Sequence, residues 1–171
     1  MIVVLLIIMV SSGLFLATVY LITENRIKCR MESEKEEAIL KVMPGAVNYR
    51  EVEPGPPSLY LGLNQNLKPV GYAMKIEGSG FQGTITLMVG LEPEENRVTG
   101  IEILEMSETP GLGARIEEEW FKNQFIHKSF DDPFIVDKDI DTITGATISS
   151  KVVTQLVYHA VTKFNKTSHW E

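Results

Sequence analysis

The chain has 171 residues, with 23 Asp or Glu against 16 Lys or Arg and a formal net charge of −7. That length holds one domain of ordinary size plus an anchor, and dispersed cations on an acidic chain exclude nucleic acid as a partner. The single cysteine, Cys29, excludes an internal disulfide and a Cys-ligated iron–sulfur or zinc site, and His127, His159 and His169 lack metal-ligand spacing.

Met1 to Ile22 is uncharged and almost wholly apolar, broken by Ser11, Ser12, Thr18 and Tyr20. As a helix it would run about 33 Å, enough for a bilayer core. A cleaved signal peptide would have a basic start and a shorter apolar region. An uncleaved single-span anchor over residues 1–23 is therefore expected. Residues 24–42 read as a charged juxtamembrane helix that Pro44-Gly45 ends. Arg26, Lys28 and Arg30 follow the span directly, and the positive-inside rule assigns that flank to the cytoplasm.

Residues 43–171 are expected to form the soluble domain. Glu53 to Pro57 is a turn-rich loop. Val70 to Glu77 is a strand candidate, broken by Gly78-Ser79-Gly80. Phe81 to Leu91 alternates, with Ile85, Leu87, Val89 and Leu91 on one face. A polar turn at Glu92 to Asn96 leads to a third strand, Val98 to Leu104. The short connections favour antiparallel pairing. Pro110, Gly111 and Gly113 make a loop of Glu108 to Gly113. Arg115 to Phe125 is predicted helical, anchored by Trp120, Phe121 and Phe125, and Phe134 to Val136 is a short strand candidate. Lys151 to Phe164 carries the clearest helical stripe: Val152, Val153, Leu156, Val157, Ala160, Val161 and Phe164. The expected class is α+β: one transmembrane helix, then a mainly antiparallel sheet packed with helices.

Just before that last helix, Thr144, Thr147, Ser149 and Ser150 surround the small pair Gly145-Ala146. The first turn of a helix has unpaired N–H groups and the positive end of its dipole, so it can hold a phosphate without Lys or Arg. The four hydroxyls offer further hydrogen bonds. The same residues would also serve as plain helix caps. A P-loop is excluded, because the Gly-Lys-Ser/Thr ending is missing.

Three segments taken together resemble the FMN-binding domain family: Asp-x-x-Thr-Gly-Ala-Thr at Asp141 to Thr147, the loop Glu108 to Gly113, and Gly78-Ser79-Gly80-Phe81-Gln82-Gly83. Trp120-Phe121, Gln124-Phe125 and Asp132-Pro133-Phe134 match as well. Within that family the chain is similar to the G subunits of Rnf electron-transport complexes. The C subunits of sodium-translocating NADH:quinone reductases are the second candidate. The resemblance implies FMN joined covalently by a phosphoester to Thr147, delivered by a separate flavin transferase. Asp141, Thr144, Gly145 and Ala146 would be its recognition sequence, and Glu108, Thr109, Leu112 and Gly113 would lie near the flavin ring. Phe81 stands where a tyrosine is common.

It further implies a single-pass subunit of the cytoplasmic membrane with its domain on the extracytoplasmic side, opposite to the assignment from the basic flank. Such a subunit relays electrons between neighbouring membrane subunits of an Rnf complex, which couples ferredoxin and NAD to sodium or proton transport. No Gly-x-Gly-x-x-Gly follows a strand, so this chain is not expected to bind NAD, and no residue stands out as a catalytic acid or base. The rival readings are a non-redox assembly scaffold of a membrane complex and a free-standing, membrane-tethered flavoprotein reductase.

Overall fold

The structure is a computed structural model that describes residues 1–167; His169 lies outside the described residues. Contacts divide the chain into two units, Met1–Glu36 and Glu37–Glu171.

The first unit is helical. Helix α1 runs Ile2–Val42, 41 residues, and its apolar stretch is long enough to cross a membrane. Nearly every side chain from Ile2 to Ile22 is exposed, which suits lipid rather than a protein core. Beyond Ile22 the helix turns charged and is supported by surface ion pairs, Glu24 with Lys28 at 2.7 Å and Arg30 with Glu34 at 2.8 Å. Pairs spaced four residues apart contribute only a few tenths of a kcal/mol each, about 0.3–0.5. They favour the helix without tying it to anything else.

The second unit is a five-stranded antiparallel sheet in the order β1-β2-β3-β4-β5: Asn48–Glu53, Ser58–Leu63, Pro69–Ser79, Thr84–Glu92 and Arg97–Met106. Each strand pairs with its neighbour in sequence, as short turns require. Two of the strands are absent from the pattern read along the chain. β1, Asn48–Glu53, is charged and mostly exposed, as suits an edge strand with one neighbour. β2, Ser58–Leu63, splits its side chains between two cores, Leu59 on one face and Tyr60 on the other. The expected break at Gly78 lies later, because β3 continues through Gly78 and Ser79 to pair with Ile85 and Thr84.

β4 is buried on both faces. Ile85, Leu87, Val89 and Leu91 join the main core, as their alternation requires, while Met88 joins a second core. The main core is closed by helix α3, Thr147–Thr167. Val153, Leu156, Val157, Ala160, Val161 and Phe164 are its buried stripe, with Phe164 packed 5.1 Å from the Tyr72 ring. The second core is closed by Ala38, Ile39 and Val42 at the end of α1 and by Met43 just after it. The end of α1 thus packs with the sheet, and Glu37 onward belongs to the second unit.

Two expectations fail locally. Arg115 to Phe125 is not one helix but a 3₁₀ turn Gly113–Glu117, a short helix α2 Glu119–Lys122, and a second 3₁₀ turn Asn123–Phe125. Glu118 breaks it by taking an extended conformation, φ −61° and ψ 134°. The break swings Trp120 outward, 44% exposed, and Ile116 takes its place in the core beside Phe121 and Phe125. Phe134 to Val136 is not a strand. Phe134 and Asp137 adopt positive φ, and the loop is held by Asp139 Oδ1 accepting from Ile135 N–H at 2.6 Å.

Candidate functional site

The start of α3 is shaped from within. Ile143 to Ala146 makes a tight turn in which Ala146 N–H donates to Ile143 C=O at 2.8 Å. Gly145 sits in it at φ +85°, a conformation that disfavours side-chain-bearing residues. A Cβ on Gly145 would also stand 3.0 Å from Leu112 Cδ2. The Ser150 hydroxyl accepts from Ile143 N–H at 3.2 Å and donates to Ala146 C=O at 3.0 Å. Ser150 is fully buried, so its hydroxyl braces the turn instead of facing an incoming phosphate.

The turn is also clamped from outside. The Gln124 carboxamide accepts from Asp141 N–H at 2.7 Å and donates to Asp141 C=O at 3.3 Å. Between the clamps the chain alternates in threes. Ile140, Ile143 and Ala146 are buried, while Asp141, Thr144 and Thr147 face solvent.

Ala146 occupies the N-cap position, where Ser150 N–H bonds its carbonyl at 2.9 Å. Alanine is a poor cap, because it offers no oxygen to the open N–H groups that follow. Those groups, at Thr147, Ile148 and Ser149, are the ones helix geometry leaves without a backbone partner. Thr147 is the first helical residue and is exposed, and among the described residues its hydroxyl makes no hydrogen bond.

The open end of α3 meets the loop after β5 across a pocket of about 330 Å³. Gly145, Ala146, Thr147, Ile148 and Ser149 line one side. Glu108, Thr109, Leu112 and Gly113 line the other, and Phe81 from the β3–β4 hairpin completes the rim. Thr144 and Ser150 are not among the lining residues. Phe81, Leu112 and Ile148 are 63%, 48% and 52% exposed, so the pocket has an apolar mouth. Among the described residues Glu108 is its one titratable group, and no Lys or Arg lines it. A phosphate here would rely on backbone N–H groups and the helix dipole.

These features fit a phosphorylated, planar aromatic group. There is a free hydroxyl beside open N–H groups, a glycine–alanine pair that keeps bulk away, and apolar side chains at the mouth. Ile148 and the Gln124 clamp carry no signal in the motif itself.

Comparison with known proteins points to one family. A model of the FMN-binding domain matches residues 80–162. The chain is 31% identical over 170 residues to the G subunit of the ion-translocating oxidoreductase complex of Methanosarcina acetivorans, covering 94% of this chain and 90% of that one. It is 32% identical over 155 residues to the G subunit of the proton-translocating ferredoxin:NAD(+) oxidoreductase complex of Clostridium ljungdahlii, covering 88% and 82%. The fold is similar to that of the C subunit of the Na(+)-translocating NADH-quinone reductase of Parabacteroides distasonis. The TM-score is 0.62 at 19% identity, over 82% of this chain and 95% of that one.

Proposed function

The chain belongs to the family of G subunits of ion-translocating oxidoreductase complexes, which carry an FMN-binding domain, and on that footing we propose that it is a membrane-anchored electron-transfer subunit with FMN esterified to Thr147. The observation that carries this reading is the Thr147 hydroxyl: exposed, unbonded among the described residues, and opening on the pocket at the start of α3. Attachment exchanges the O–H bond of Thr147 for an O–P bond, while the phosphoanhydride bond of an activated FMN donor breaks. A separate flavin transferase catalyses the exchange, accepts the proton and releases the donor's remaining phosphate-bearing part as the leaving group. Once bound, FMN supplies one- and two-electron redox chemistry.

The chain's own residues bind, orient and shield. The N–H groups after Ala146 hold the phosphate, and Gly145 and Ala146 let it approach. Leu112, Ile148 and Phe81 give the ring system an apolar surround. A covalent tether also keeps the cofactor from being lost outside the cytoplasm. The partners are the other membrane subunits of an Rnf-type complex, reached through a single span in the cytoplasmic membrane.

Mass spectrometry of the full chain from a host that has the transferase should find an FMN phosphoester on the Thr147 peptide. Thr147→Ala should abolish flavin fluorescence of the denatured band while leaving the melting temperature close to wild type, because the side chain is exposed. A bare Thr147 in such material would overturn the assignment.

We further propose that the sheet domain lies on the extracytoplasmic side. Cys29, the chain's lone cysteine, is exposed just beyond the apolar stretch and reports the side directly. A membrane-impermeant maleimide should label it in intact cells with a permeable outer layer. Labelling only after lysis would place the domain in the cytoplasm, as the basic flank alone predicts.

A further inference from the structure

We propose that Glu108 is a positioning residue whose carboxylate latches the β3–β4 hairpin to the first turn of α3 and so fixes the wall that Phe81 presents to the pocket. This rests on the reading of Thr147 as the flavin-bearing residue.

Glu108 is only 8% exposed. Its Oε1 accepts from the backbone N–H of Phe81 at 2.7 Å and of Gln82 at 3.3 Å. Its Oε2 accepts from the Ser149 hydroxyl at 2.9 Å. Among the described residues it has no cationic partner. A buried carboxylate without a cation is costly unless hydrogen bonds fill its lone pairs. Here two amides and a hydroxyl fill them, beside the favourable end of the α3 dipole.

Two glycines make room for the carboxylate. A Cβ on Gly80 would collide with Oε1, and one on Gly113 would stand 2.6 Å from Oε2 and 3.0 Å from Ser149 Oγ. The hairpin tip is itself closed by Gly80 N–H donating to Gly83 C=O at 2.7 Å. The Phe81 ring, 63% exposed, has little packing of its own. Its place at the rim therefore depends on the backbone bond to Glu108. The carboxylate acts through Phe81 and Ser149.

The latch needs an acceptor toward the hairpin and a bond to Ser149, not a negative charge. Glutamine supplies both, because its oxygen accepts from Phe81 and its amide group donates to the serine oxygen. Alanine supplies neither. The test uses the full chain, co-expressed with a flavin transferase and purified in detergent. Fluorescence of the denatured band reads attachment; iodide quenching of the native protein reads shielding of the flavin.

Glu108→Ala should keep the attached flavin yet lose its protection from iodide, and Phe81→Ala should show the same loss. Glu108→Gln should quench like wild type. The proposal is overturned if Glu108→Gln loses protection as Glu108→Ala does, since charge would then be the active property. It is equally overturned if Glu108→Ala stays protected. Should Glu108→Ala fail to fold, Ser149→Ala breaks one arm of the latch and must give a smaller loss in the same direction, or the proposal fails. Wild-type protein with no flavin on the denatured band would instead strike the Thr147 assignment.

Discussion

The two faces of the sheet are packed differently along β4. Toward α3 it presents Ile85, Leu87, Val89 and Leu91, each with no exposed surface, which interdigitate with the helix stripe. Toward the end of α1 it presents Met88 and Gly90. There the backbone itself comes close: a Cβ on Gly90 would fall far inside van der Waals contact of the Val42 carbonyl oxygen. Thr99 donates its hydroxyl to that same carbonyl and satisfies a helix-end acceptor. Gly62 plays a similar part, since a Cβ there would stand 2.7 Å from Met43 Sδ. On the α3 face β4 supplies side-chain volume; on the α1 face Met88 does so too, but Gly90, with Gly62 of β2, leaves room for the helix end to come close. Leu87 should therefore suffer from shrinking and Gly90 from enlarging.

That contrast can be broken directly. Leu87→Ala should cost about 2–5 kcal/mol through lost burial and a cavity. Gly90→Ala should cost about 3 kcal/mol although it adds apolar volume, because backbone must move to admit the methyl group. Both are read by chemical denaturation of the detergent-solubilised chain. If Gly90→Ala proves neutral, the α1 end does not seat as described and the contrast fails.

A smaller effect sharpens the picture around the loops that cap the α3 face. Gln124→Met keeps the length of the side chain and removes both bonds to Asp141. It should cost about 1 kcal/mol and speed hydrogen exchange at the Asp141 amide, with exchange in β4 unchanged. Acceleration that spreads through β4 would make Gln124 a core residue rather than a clamp.

The smallest effect concerns pH. Lys122 is buried and lies 2.9 Å from Glu119 and 3.0 Å from Glu102, while Lys41 at the end of α1 lies 2.9 Å from Glu102. The Lys122 ammonium, hydrogen-bonded to Glu119, holds that carboxyl below the usual carboxylate range. A depressed folded pKa stabilises the fold above the unfolded value, and that contribution is lost as pH falls through the folded one. Glu119→Gln should therefore lower the melting temperature slightly at neutral pH and leave the acid limit unchanged, which flattens the acid side of the profile. Glu119 is largely exposed, so solvent screening keeps the difference small. An unaltered acid limb would show that the pairing carries no stability.

Much of the α3 face is readable along the chain because its signals are periodic. The stripe from Val153 to Phe164 and the alternation from Ile85 to Leu91 each name the face they bury. The motif residues Gly145, Ala146, Thr147 and Ser149, and the loop residues Glu108, Thr109, Leu112 and Gly113, meet in one pocket. Other parts have no periodic signal. The charged edge strand β1 pairs through its backbone, which leaves no side-chain pattern. Trp120 reads as an anchor, yet one extended residue, Glu118, turns it outward. Ser150 reads as a phosphate ligand, but only the tight turn at Gly145 reveals that its hydroxyl is already engaged with Ile143 and Ala146.

By itself, the order of residues determined the membrane-length apolar helix, the antiparallel run from β3 to β5 and the hydroxyl-rich entry to the last helix, because hydrophobic period and turn chemistry act over short distances. Tertiary structure alone decided that the Glu108 carboxylate faces the hairpin amides, that Gln124 grips Asp141, and that Gly90 admits the Val42 carbonyl. Those are pairings between segments far apart along the chain. Their physical basis is the exclusion of a Cβ or the filling of a buried acceptor, and neither exists until the segments have met.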